Sequence, residues 1–352
     1  MAAPPRDEDL IARVQSHLDS FVAVQRDRLA EAGPGAAALI DAAHASVSGG
    51  KRLRAAYCYW GWRAAGGSVG DDRPIMAGAA LEWLQASALV HDDVIDESAT
   101  RRGRPAAHRA FADQHRHRGW RGDADHYGAG AAILLGDLML SWSDETFGPC
   151  RGSAAAGAHF DACKSEVVAG QFLDVTTEAA ADPTVESAMR VVRFKAAKYT
   201  VERPLLIGAT LAGADRGLVE ALRGFGLPVG EAFQLRDDVL GMFGDASVTG
   251  KPAGDDIRAG KRTVLLARAY ERSTSEHRTT LDDLVGDSRL DPDGVDRVRD
   301  IVRTTGALAA VEEHITGLLD AALRALDTAP LADEVARKTL TQLAERSVQR
   351  ER

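Results

Sequence analysis

PIMAGAALEWLQASALVHDDVIDE, residues 74–97, is an apolar run that ends in carboxylates. Apolar residues recur at three- and four-residue spacing from Pro74 to Ile95, which predicts a helix rather than a strand. Asp92 and Asp96 are four apart and so share a helical face, with Asp93 beside them. Carboxylates stacked in this way repel one another, and here they also meet the negative end of the helix dipole. A cation is expected to sit there. Oxygen ligands without a nearby cysteine favour Mg²⁺ or Mn²⁺ over zinc. Directly downstream comes Arg101-Arg102-Gly103-Arg104-Pro105, a dense cationic patch suited to phosphate oxygens.

The same grammar returns further on. Phe233-Gln234-Leu235-Arg236-Asp237-Asp238-Val239-Leu240-Gly241 closes another apolar run, and Gly250-Lys251-Pro252, Asp255-Asp256 and Gly260-Lys261-Arg262 follow it. Other Asp pairs, such as Asp71-Asp72 and Asp282-Asp283, lack this context and read as solvated helix ends. Two apolar helices ending in carboxylates, each followed by basic residues, are expected to face each other and hold Mg²⁺ ions with a diphosphate as shared ligand.

Outward from these segments the chain reads as helix after helix. Apolar spacing of three and four marks Leu10 to Leu29, Ala129 to Phe147, Ala154 to Val175, Val185 to Ala212 and Leu218 to Phe243. It continues at Thr263 to Tyr270, Asp293 to Arg303, Ala307 to Leu326 and Leu331 to Ser347. No linker rich in Pro, Gly or Ser divides the 352 residues, so a single all-α domain spanning 1–352 is expected. Arg101 to Tyr127, rich in Arg, His and Gly, reads as a loop with a short helix inside it. Its His108, His115, His117 and His126, lying among many arginines, read as solvated rather than as zinc ligands. Trp60, Trp62 and Trp83 read as core or dimer packing, and Ile133 to Leu140 as core or subunit interface.

Composition narrows the function. Lys and Arg number 43 against 52 Asp and Glu, a net charge of −9, which argues against a nucleic-acid binder. Three cysteines without CxxC spacing argue against a disulfide framework and suit a cytoplasmic chain. The first residues lack a signal peptide's basic and apolar regions, and no run is long enough for membrane insertion.

Taken in order, Gly49-Gly50-Lys51-Arg52-Leu53-Arg54, the Asp92 to Asp96 motif with Arg101-Arg102-Gly103, Leu135-Gly136-Asp137, Gly170-Gln171, and Phe233 to Asp238 with Gly250-Lys251 resemble the trans-isoprenyl diphosphate synthases, the farnesyl and geranylgeranyl diphosphate synthase family. The resemblance covers about 48–265 and implies an isoprenoid synthase-like bundle of antiparallel helices around a central cavity, usually a homodimer. It implies that Asp92 and Asp96 bind two Mg²⁺ ions and Asp237 a third, with Mn²⁺ as a substitute, and that Asp93, Asp238 and Asp255 support them. Arg101, Lys195, Lys251 and Lys261 fall where the family holds the allylic diphosphate, and Lys51, Arg54, Gln85 and Arg102 where it holds isopentenyl diphosphate. Gln234 joins the substrate contacts. Two departures stand out: Gly241 replaces a third Asp, and Ala196 replaces a Thr after Lys195, for which Lys198, Tyr199 or Thr200 is a substitute.

Short-product relatives plug the growing chain's path with an aromatic residue four or five positions before the first Asp. Here those positions are Ala88 and Ser87, and bulky Leu84 and Leu81 lie one and two turns deeper. A helical turn of ~5.4 Å is about one isoprene unit. The resemblance therefore implies geranylgeranyl diphosphate as main product, with farnesyl or longer products as the alternative. A class I terpene cyclase is the rival enzyme, but its second metal motif uses Asn, and this chain contains none. A non-catalytic prenyl synthase subunit is the rival from another class; it would have lost one acidic motif.

Overall fold

The computed structural model describes residues 7–180, 184–244 and 254–349. Among them the fold is all-α apart from one two-residue strand pair. The helices are α1 Asp7–Arg28, α2 Pro34–Ser46, α3 Leu53–Ala64, α4 Arg73–Ile95, α5 Ala107–His117, α6 Ala124–Phe147, α7 Ala154–Ala180, α8 Val185–Val191, α9 Arg203–Leu211 and α10 Arg216–Phe243. They continue with α11 Asp255–Arg258, α12 Val264–Arg272, α13 Ser275–Leu284, α14 Pro292–Thr304, α15 Ala307–Asp327 and α16 Glu334–Val348. Val192–Glu202, between α8 and α9, is wound as a π-helix. None of these helices is long and apolar enough to cross a membrane.

The chain divides into two compact units that alternate along the sequence: Met1–Ala162 with Arg203–Val219 and Pro330–Arg337, and Cys163–Glu202 with Glu220–Ala329 and Lys338–Arg352. In the first unit α4 lies at the centre, with Leu81 and Trp83 fully buried. Trp83 and Trp142 meet edge to face at 5.1 Å, and Phe21 packs on both. Ser143 on α6 donates to the Ala80 carbonyl of α4 at 2.7 Å. Helices α3 and α9 touch backbone to backbone. A Cβ at Gly208 would lie 1.7 Å from the Cys58 carbonyl oxygen, and one at Gly61 2.1 Å from that of Leu205. Only glycine permits that approach.

In the second unit α7 from Cys163 onward packs against the π-helix, where a Cβ at Gly170 would lie 2.2 Å from the Lys195 nitrogen. The π-helix also lies against α10, where a Cβ at Gly230 would meet the Ala197 carbonyl at 2.5 Å.

Every segment read as helix from apolar spacing is helical, with the Val185 to Ala212 segment broken into α8, the π-helix and α9. Helices α2, α3, α11 and α13 escaped that reading. In α3 nine of twelve residues are buried, so no polar face marks its period. The expectation that the histidines after Arg101 are solvated needs correction. His108 and His115 are buried on the inner face of α5, while His117 and His126 are exposed. The Ile133 to Leu140 stripe is likewise split: Leu135 and Met139 are core, but Ile133 and Leu134 are 47% and 62% exposed.

The α3–α9 contact gives a direct test. Gly208→Ala should destabilise the protein by about 1–3 kcal/mol through overpacking. Gly130→Ala on α6, where nothing lies within 4 Å, should stabilise it by up to about 1 kcal/mol. Thermal or urea unfolding of the two variants distinguishes them.

Candidate active site

In the first unit the acidic motif is shaped by how α4 stops. Asp96 caps the helix, Glu97 takes a left-handed conformation at φ 51°, and the Ser98 amide bonds back to the Asp93 carbonyl at 3.0 Å. This is a Schellman stop with Glu97 where glycine is usual. The chain then runs into a hairpin of β1 Thr100–Arg101 and β2 Arg104–Pro105, with Arg101 opposite Arg104 and Arg102-Gly103 as its two-residue turn. Both turn residues have positive φ, 53° and 72°, as a type I′ turn requires. Asn-Gly would be the ordinary choice; a chain without Asn uses Arg-Gly, which is why the hairpin is hidden in the sequence.

The hairpin separates its two arginines. Arg101 folds back so that its Nε lies 2.9 Å from Asp93 Oδ1, and its Nη2 is 3.5 Å from Asp92. Burial opposes the Arg101 charge, but Asp93 first, then Asp92 and Asp96, hold its pKa above the ordinary value. Asp93 is thus buried and occupied by Arg101, whereas Asp92 and Asp96 lie half-buried one turn apart. Arg102, at the exposed tip, brings its guanidinium to 3.7 Å from the Cβ position of Gly50, so the Gly49–Arg54 loop and the hairpin tip meet. Lys51 in that loop is exposed, and Arg54 and Gln85 are half-buried. Among the described residues three non-glycines have positive φ: Arg52, Glu97 and Arg102. All three flank these groups, which is where stored backbone strain gathers in functional sites.

His91, just before the acidic pair, has its Nε2 3.1 Å from the Ile133 carbonyl and 3.6 Å from Asp137. A Cβ at Gly136 would lie 2.1 Å from that nitrogen, so the glycine of Leu135-Gly136-Asp137 makes room for the imidazole. A cavity of about 500 Å³ opens beside α4, lined by Ala86, Leu89, Val90 and Asp93, by Arg101 and Arg102 of the hairpin, and by residues of α2 and α5. Leu84, Ser87 and Ala88 do not line it. Ala88 is half-buried, one turn before Asp92 on its face, and Leu84, one turn before Ala88, is buried; Ser87 is buried on another face.

In the second unit Lys195 and Lys198 reach from the π-helix to α7. The Lys195 ammonium bonds the Asp174 carboxylate, and that of Lys198 bonds Glu166 at 2.7 Å. π-Helical turns recur at functional sites, and this one carries both lysines. Gly170, next to Gln171, permits the close approach described above. Ala196, Tyr199 and Thr200 are buried. The sequence reading missed Asp174 and Glu166; the signal available was their eight-residue spacing on α7, two turns of one face.

On α10, Gln234 donates to Asp238 at 2.8 Å, one turn on. Arg236 forks onto Glu312 of α15 with two bonds of 2.6 Å and reaches the Val348 carbonyl, which anchors the motif in the unit. The Asp238 carboxyl is pushed up to about 8, first by loss of water and then by Asp256 and Asp237, against the pull of Gln234 and Lys261. Asp256 brings a carboxylate against this helix: a Cβ at Gly241 would lie 2.2 Å from its Oδ2. Lys251 and the Asp255 side chain lie outside the described residues.

Among the described residues no three His, Cys, Asp or Glu side chains gather closely enough to hold a metal by themselves. That fits Mg²⁺, which takes one or two protein carboxylates and fills its octahedron with water and phosphate oxygens. The Asp238 carboxyl, held up by burial and by the neighbouring Asp256 and Asp237, marks a concentration of carboxylate oxygens that suits a hard cation as well. The donor set therefore suits a divalent ion bound together with a phosphate ligand.

Known proteins agree with this chemistry. A geranylgeranyl pyrophosphate synthase from Corynebacterium glutamicum, solved with isoprenyl diphosphate and magnesium, is 39% identical and superposes with a TM-score of 0.93 over 99% of this chain and all of its own. A geranylgeranyl diphosphate synthase of Mycobacterium tuberculosis is 34% identical across 82% of this chain and 78% of its own. A geranylfarnesyl diphosphate synthase of Aeropyrum pernix is 28% identical across 96% and 99%. Residues 37–303 match the family model Polyprenyl synthetase, and the chain belongs to that family of prenyltransferases.

Proposed function

We propose that the chain condenses isopentenyl diphosphate with allylic diphosphates (dimethylallyl, geranyl, farnesyl) and makes mainly geranylgeranyl diphosphate. The observation that carries the reading is the shared face of α4, where Gln85, Ala88, Asp92 and Asp96 follow at helical spacing with no aromatic side chain before the acidic pair. Asp92 and Asp96 would hold two Mg²⁺ ions and Asp237 a third, with Asp93, Asp238 and Asp255 in support and Mn²⁺ a working substitute. When bound, the ions neutralise the diphosphate as the allylic C–O bond breaks. Arg101, Lys195, Lys251 and Lys261 grip the same leaving diphosphate with Gln234 and Lys198 beside it, so charge is met where it develops. Lys51, Arg54, Gln85 and Arg102 hold isopentenyl diphosphate, whose double bond attacks the allylic cation; the proton then lost goes to the departing diphosphate. No side chain acts as nucleophile. Apolar residues of α4 exclude water that would quench the cation.

The two units act as one catalytic domain in this reading. The free thiols Cys58, Cys150 and Cys163 suit a reducing cytoplasm. Exposed Ile133 and Leu134 on α6 suit a subunit interface, and a homodimer is expected.

Three outcomes test this. Purified enzyme with Mg²⁺, isopentenyl diphosphate and each allylic primer should yield twenty-carbon diphosphate by chromatography; a stop at fifteen carbons refutes the product assignment. Ala88→Phe should shorten the product, and unchanged length removes α4 as the determinant, while Asp92→Asn should cut turnover by about 100-fold or more. Third, without metal, a folded Asp238 pKa near 8 means the native state holds a proton that the unfolded chain has released above its ordinary value. The contribution of Asp238 to stability should therefore be most favourable below about pH 4 and be lost as pH rises through about 4 to 8. Asp238→Asn should flatten that slope in urea titrations.

A further inference from the structure

The Gly49–Arg54 loop has an unusual backbone. Gly49, Gly50 and Arg52 have φ of 73°, 102° and 51°, so three of four consecutive residues are left-handed, and Arg52 caps α3 from that conformation. Its side chain is 2% exposed. It donates to Glu82 at 2.7 Å, to Gln15 at 2.5 Å and to the Val47 carbonyl. Lys51 beside it is exposed. The loop thus sends one cation inward and leaves its neighbour outward.

Glu82 is the informative partner. Residues 82, 85, 89, 92 and 96 follow at three- and four-residue steps, so Glu82 shares a face of α4 with Gln85, Asp92 and Asp96. One buried ion pair therefore registers the cationic loop on the same helix stripe that ends in the acidic motif. Arg102 approaches Gly50 from the hairpin, so Lys51 and Arg54 lie on a segment that a like charge repels. A tether independent of ligand is needed to keep them there. A buried ion pair is a poor source of net stability compared with apolar packing, but its fork fixes geometry.

We infer that Arg52 and Glu82 form a positioning pair that presents Lys51 and Arg54 to the diphosphate of isopentenyl diphosphate before it binds, touching no substrate themselves. The inference rests on the reading of that substrate site above. It differs from a merely structural role in affecting one substrate and not the other.

The double variant Arg52→Met/Glu82→Met removes both charges and leaves none buried alone. It should raise KM for isopentenyl diphosphate about tenfold or more, with kcat and the allylic KM changed less than about threefold. Its melting temperature should stay near that of the parent, while hydrogen exchange at residues 49–54 of the ligand-free enzyme quickens. Arg52→Lys, which keeps the charge but loses the fork, should fall between the two. An unchanged isopentenyl KM, or both KM values rising together with a lower melting temperature, overturns the inference. Lys51→Ala separates its failure from that of the site. If Lys51→Ala raises the isopentenyl KM and the double variant does not, the positioning pair alone is refuted; if Lys51→Ala has no effect, the substrate site and the pair fall together.

Discussion

Repulsion between like charges held at close quarters shapes both acidic segments. Asp92 and Asp96 stand one turn apart at the negative pole of α4, and Asp237, Asp238 and Asp256 crowd the end of α10. Water would dissipate this field at an open surface, but these groups are half-buried, where it is stronger. The two units answer it differently. In the first, Arg101 is drawn back onto Asp93 and neutralises part of the cluster. In the second, burial with Asp256 and Asp237 holds the Asp238 pKa up to about 8, against the pull of Gln234 and Lys261. In the proposed function both sets take up a divalent ion together with its phosphate.

Such arrangements need rigid supports, and backbone geometry supplies them. The left-handed Glu97 stops α4 directly after Asp96, and the Arg102-Gly103 turn directs one arginine inward and one outward. Gly136 and Gly170 remove side chains that would push His91 and the Lys195 backbone out of place. The motif strings of small and charged residues are in this sense instructions for close approach. Arg236, tied to Glu312 and to the Val348 carbonyl, does for α10 what the hairpin does for α4.

Much of this was legible in the sequence. Long amphipathic runs such as Leu10 to Leu29 and Ala307 to Leu326 announce helices because one face meets water. The carboxylate pairs at the ends of α4 and α10 stand out because each closes a long apolar run and is followed by a cluster of basic residues. What stayed hidden has physical reasons. Helix α3 is buried nearly all round and shows no period. The π-helix differs from an α-helix by its hydrogen-bond step, which composition does not encode. The ion pairs Lys195 to Asp174 and Lys198 to Glu166 join segments distant in sequence. Asp256 was not singled out because the sequence of an Asp pair does not say which carboxylate meets a neighbouring helix. His108 and His115 looked solvated amid arginines, yet α5 is amphipathic and buries them.

Everything functional depends on the two carboxylate sets binding divalent ions only in company with a diphosphate. Electron paramagnetic resonance of Mn²⁺ titrated into the full chain, with and without a non-ionisable allylic thiolodiphosphate, tests that directly. The account requires weak Mn²⁺ uptake by the protein alone, strong uptake when the analogue is present, and a loss of bound ions in both Asp92→Asn and Asp237→Asn. Uptake that ignores the analogue, or that survives both substitutions, would contradict it.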